Sequence, residues 1–164
     1  MDYFRKEKAK RMDTKEWIYG FPVALGDEEE YRWGLITNNL PIDKSTLSDI
    51  EVIEVIPETM CGYVGRFSSI FGDDDEFYDV WEHDIYTIHT NEGEFIAEIT
   101  EGFGGYEFFI QDPEDDSKGW CWPFSDESIT IDWELLGNSI DNPELLLDSR
   151  IRMKKLKELR YKKD

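Results

Sequence analysis

Cysteine and histidine are scarce in this chain: its 164 residues include two of each. Cys61 and Cys121 lie far apart and form no C-x-x-C spacing, so the sequence offers neither a disulfide framework nor a zinc ribbon. Two partly buried thiols are expected. His83 and His89 have no cysteine or third histidine beside them, which speaks against a zinc site. Long apolar runs are also missing. No stretch approaches the roughly 20 residues that cross a bilayer, and no apolar run behind early basic residues has the form of a secretory leader. The expectation is a soluble cytoplasmic protein with no membrane partner.

Basic residues are nearly absent from the middle of the chain. Between 16 and 149 only Arg32, Lys44, Arg66 and Lys118 stand against 33 acidic residues. Residues 1–15 hold six basic and three acidic residues, and residues 150–164 hold eight and two. The body is anionic and both ends are cationic. Basic ends resting on that body, or on a second copy's, would offset part of its self-repulsion, so a homo-oligomer is the expected partner. Direct nucleic-acid binding is not expected, because the body repels phosphate over a Debye length of about 10 Å. With 40% apolar and 15% aromatic residues, the chain is too rich to be disordered even at a net charge of -20. At this length it fits a single domain with extensions.

Residues 1–15 read as a basic N-terminal arm or short helix, and residues 16–141 as an acidic β-rich body. Within the body, residues 16–23 predict a first strand in which Pro22 favours an edge. A charged turn follows at 26–30, a second strand at 31–36, one helical turn at 45–49 and a strand at 50–56 closed by Pro57. Residues 85–89 alternate faces, Asn91-Glu92-Gly93 is a hairpin turn, 94–99 run back, and 101–105 turn into 106–110, making a β-meander. Residues 112–117 read as a loop, 120–124 as an aromatic cluster and 128–131 as a last strand.

Residues 142–164 read as a basic amphipathic C-terminal helix. Asn142 caps it, Pro143 fills its first position and Glu144 faces its positive end. At about 100° per residue, Leu145, Leu146, Met153, Leu156 and Leu159 share a stripe roughly 140° wide, while Leu147 and Ile151 lie nearly opposite. That second patch needs a cover. Leu147, Ile151, Met153, Leu156 and Leu159 are therefore the candidate self-association residues.

No residue is nominated as catalytic, cofactor-binding or metal-binding. Asp73-Asp74-Asp75-Glu76 and the group Asp112, Glu114, Asp115 and Asp116 lack the spacing, glycine and final glutamate of a calcium loop and read as solvated turns. Nucleophile motifs such as G-x-S-x-G are absent. The one pairing left open is Cys61 or Cys121 with His83 or His89, since such partners meet only in space.

Glu134-Leu135-Leu136-Gly137-Asn138, followed by Asn142-Pro143-Glu144-Leu145-Leu146, resembles the ending E-x-I-G-N-x-x-x-N-P-E-L-L of the YopX-like family of phage and prophage proteins. Phe4-Arg5 with Trp17-Ile18-Tyr19-Gly20, and Val55-Ile56-Pro57-Glu58-Thr59 with Tyr63-Val64-Gly65, are similar to further family motifs. Val80-Trp81-Glu82-His83-Asp84-Ile85 stands where the family has I-Y-E-G-D-I, with His83 in place of a glycine that usually serves positive φ; a remodelled turn is expected there. The resemblance implies a phage-type protein in a bacterial cytoplasm and carries no known activity. The expected fold is mainly β, a small bent sheet or SH3-like barrel with irregular decorations and a C-terminal helix. The expected role is a non-enzymatic interaction protein that self-associates through that helix. The alternatives are an acidic DNA mimic that inhibits a host protein, and an uncharacterised enzyme.

Overall fold

The structure, a computed structural model, describes residues 6–26, 32–37, 51–68 and 77–161. Phe4-Arg5, most of the charged turn at 26–30, the helical turn at 45–49 and the acidic run at 73–76 lie outside them. The fold is mainly β, with two antiparallel sheets and a C-terminal helix; among the described residues there is no closed barrel. The chain divides into two compact units, Met1–Tyr63 and Val64–Asp164.

The first unit holds β1 (Glu7–Lys10), β2 (Trp17–Leu25), β3 (Arg32–Ile36), β4 (Val52–Val55), a 3-10 turn at Pro57–Thr59 and the start of β5 (Cys61–Ser68), in ladder order β4-β3-β2-β1-β5. A strand at 7–10 replaces the arm or helix expected there. Its lysines act as long apolar stems: the Lys8 and Lys10 ammonium groups sit 5.3 and 5.4 Å from the Trp17 ring centre, while Ala9 is fully buried. β2 changes partner midway. Trp17–Gly20 pairs with β1 and Phe21–Leu25 with β3, so Pro22 falls in the half laddered only to β3, where its missing N–H is tolerated. Gly20 is required at the switch, because a Cβ there would lie 2.3 Å from the Ile36 carbonyl oxygen. A bridge between Arg11 and Val55 brings β4 back to the end of β1. Buried Thr59 braces this return: its hydroxyl accepts from the Lys10 amide at 2.8 Å and donates to the Ile56 carbonyl at 2.7 Å.

The second unit contains the rest of β5, laddered to β6 (Phe77–Trp81), and a five-stranded sheet of β7 (Asp84–Thr90), β8 (Gly93–Gly102), β9 (Gly105–Asp112), β10 (Asp115–Pro123) and β11 (Thr130–Asn138). The expected meander is present, and the loop expected at 112–117 is a tight turn leading straight into β10. β11 does not follow β10 in space. It crosses to the far edge and pairs with β7, giving the order β10-β9-β8-β7-β11. Its register slips between Asp132 and Gly137, which leaves Leu135 and Leu136 exposed while Trp133 packs against the core. That core is aromatic. Tyr86, Phe95 and Phe108 are buried, Phe124 stacks on Phe108 at 5.1 Å, and Trp133 stacks on Phe67 at 5.4 Å and on Tyr78 at 5.9 Å.

Candidate functional site

β11 ends on Gly137-Asn138, and the chain then folds over the five-stranded sheet. The Asn138 carbonyl accepts from the amides of Asp141 at 3.1 Å and Asn142 at 2.8 Å, and its side-chain oxygen accepts from the Ile140 amide at 3.0 Å. Asn142 precedes a 3-10 turn at Pro143–Leu146 with Pro143 at its first position, but its side chain does not cap that turn. The oxygen reaches back toward the Asn138 amide at 3.4 Å, over Gly137, where a Cβ would stand 2.7 Å from it. α1 (Leu147–Tyr161) begins only after this turn, four residues later than the first helical position expected at Pro143; residues 162–164 lie outside the described set.

The helix docks on its own sheet. Leu146 and Met153 are buried and Leu156 is half-buried against the sheet core. Polar contacts follow the same face. Ser149 accepts the Ile96 amide at 2.7 Å, the Arg152 guanidinium donates to the Glu94 carbonyl at 2.7 Å, and Lys154 and Arg160 pair with Glu114 and Glu92. Of the five nominated residues, Met153 is therefore part of the intramolecular core and Leu156 leans on it. Leu147, Ile151 and Leu159 remain on the outside.

Beneath the start of α1 lies a polar cluster with no counterpart in the sequence reading. His83 has φ +68°, a left-handed backbone that usually calls for glycine. The surroundings hold it there. Its amide donates to the Ile99 carbonyl at 2.7 Å, its carbonyl accepts from the Ser139 amide at 2.9 Å, and its Nδ1 lies 3.3 Å from the Ser139 hydroxyl and 3.4 Å from the Glu98 carboxylate. Burial raises the Glu98 carboxyl, but hydrogen bonds with His83 and Ser139 and the nearby His83 and Arg150 charges outweigh it and hold the group below its usual range. Asn138 Nδ2 and Arg150 Nε are buried with no partner among the described residues.

A Ser-His-Glu group invites a hydrolase reading, and the geometry argues against it. Both the hydroxyl and the carboxylate approach the same ring nitrogen. A serine nucleophile needs one nitrogen to accept its proton while the other donates to the acid. The Cys61 thiol donates to the Thr59 carbonyl at 3.3 Å. Cys121 on β10 is three strands from His89 on β7, about 14 Å at the usual spacing. Burial and the adjacent Glu107 push the Cys121 thiol up, away from the nucleophilic thiolate. His89 lies between Asp132 at 3.1 Å and Glu94 at 3.6 Å.

No family model, curated protein or solved structure matches this chain. The resemblance to the YopX-like family rests on its sequence motifs. Among the described residues no helix is long and apolar enough to cross a membrane, and no group of three or more His, Cys, Asp or Glu could hold a metal ion. The carboxylates of Asp112 and Asp115 accept from the amides of Glu114 at 2.9 Å and Ser117 at 3.1 Å, which gives these acids a turn-forming use.

Proposed function

We propose that this chain is a non-enzymatic interaction protein of the phage or prophage kind, acting in a bacterial cytoplasm, that self-associates through the outer face of α1. One observation carries this reading: with the inner face committed to its own sheet, Leu147, Ile151 and Leu159 remain 52, 40 and 59% exposed. Leu147 and Ile151 lie one helical turn apart on the outer face, with Leu159 at its border, and form a patch that a second helix can cover. The charges of the helix contribute less than the sequence suggested, because Arg160 and Lys154 already pair with acids of their own unit.

Deleting the helix would also uncover the sheet core, so the test substitutes its surface. Light scattering after size-exclusion chromatography is expected to show a dimer or higher oligomer for the full chain at low and high salt, and a folded monomer for Ile151→Glu. A full chain that stays monomeric at every concentration, or an Ile151→Glu variant that stays oligomeric, overturns the reading. A monomer would direct attention to the acidic surface and the host-inhibitor alternative.

A further inference from the structure

A cleft of about 440 Å³ opens between the C-terminal half of α1 and β10, lined by Trp120, Trp122, Met153, Leu156 and Lys157, with Arg160 and Glu92 at its rim. β10 is a terminal strand of its sheet and, among the described residues, ladders only with β9. Its register is regular from Gly119 to Pro123. Trp120 and Trp122 point to one face of the sheet and Gly119 and Cys121 to the other, yet all four line the cleft. The cleft therefore runs along the edge of the strand, where backbone groups are open to a further strand.

The charge of this groove is unusual for the chain. The Lys157 ammonium lies 5.6 Å from the Trp120 ring centre and has no carboxylate partner among the described residues, in a protein with 38 acidic and 18 basic residues. Its helix neighbours Lys154 and Arg160 are both paired with carboxylates. A cation held over an indole beside an apolar floor is placed to receive an anion brought in by something that also fills the floor.

We infer that this groove docks an extended acidic segment of a partner protein, which adds to β10 along Gly119–Trp122. An apolar side chain of the segment fills the space between the two indoles and Leu156, and a neighbouring carboxylate takes Lys157. A peptide fits better than a nucleic-acid strand, since one or two carboxylates meet Lys157 whereas a run of phosphates meets the surrounding acidic body. The inference does not depend on self-association, which uses the opposite face of α1.

The test probes the full chain with an array of capped octapeptides that alternate apolar residues with Glu, Lys or Ser. The Glu series is expected to bind at least tenfold tighter than the Lys series and to shift the indole N–H signals of Trp120 and Trp122. Lys157→Glu should abolish that preference and Lys157→Gln should weaken it, with the oligomeric state unchanged. N-methylation of alternate peptide amides should remove binding on one of the two registers. The inference is overturned if no series binds above the Ser background, if Glu and Lys series bind alike, if Lys157→Glu leaves Glu-series binding intact, or if an oligothymidylate binds more tightly than any peptide.

Discussion

In the first unit the buried apolar cluster among the described residues is Ala9, Leu35 and Val55, whereas in the second it joins Tyr86, Phe95 and Phe108 to five aliphatic side chains of the sheets and to Met153 of the helix. The small cluster is backed by polar devices: the Thr59 hydroxyl between two backbone groups, and Arg11 paired through two nitrogens with Asp13 at 2.9 and 2.8 Å. Exposed pairs of that sort contribute little to stability. Two units of one chain thus rely on different balances of apolar burial and hydrogen bonding, and they should open at different free energies. Hydrogen exchange checks this directly. Amides of β1–β4 are expected to exchange well before those of β7–β9, and equal protection would break the contrast.

Substitutions sharpen it, starting with the largest effect. Phe108→Ala removes a fully buried ring from the aromatic core and is expected to cost about 3–5 kcal/mol, read by chemical denaturation with local exchange to show that the loss falls in the second unit. Thr59→Val leaves the Lys10 amide without its acceptor and is expected to cost about 1–3 kcal/mol, confined to the first unit. At His83, Gly and Ala both remove the contacts to Glu98 and Ser139, but only Gly relieves the positive φ. His83→Gly should therefore be more stable than His83→Ala by about 1–2 kcal/mol, and equal stability would mean that the turn stores no strain.

The shallowest effect is a pH dependence. Glu98 is held below the ordinary value of 4.5 in the folded state, so as the pH falls the unfolded chain binds that proton first. Its stabilisation is complete above about pH 4.5 and is lost as the pH drops through the folded-state value. Glu98→Gln should flatten that part of the stability profile in the second unit and leave the first unit's acid limb unchanged.

Strands 2, 3 and 4, the meander and the existence of a terminal helix were legible in the sequence, because alternation, hairpin glycines and a 3.6-residue apolar period are local signals. β1 was not. Lysines at 8 and 10 carry no strand signal until Trp17 is brought alongside to cover their stems. The His83 cluster was visible only as a histidine in a glycine position; Glu98, Ser139 and Arg150 come from three other segments, and nothing in their spacing joins them. The cleft beside β10 was equally hidden, since it depends on which strand ends up at the edge.

By itself, then, the sequence determined that this chain is mainly β with a helical end, that its middle is acidic and its ends basic, and that the helix carries two apolar faces. Those properties follow from composition and period, which act over a few residues. Only the tertiary structure decided which face of α1 is buried, that β11 crosses to the far side of the sheet, that the fold divides after Tyr63, and that Lys157 stands over an indole. Each of those depends on contacts between segments far apart in the chain, and local propensity does not encode which distant partner a surface will meet.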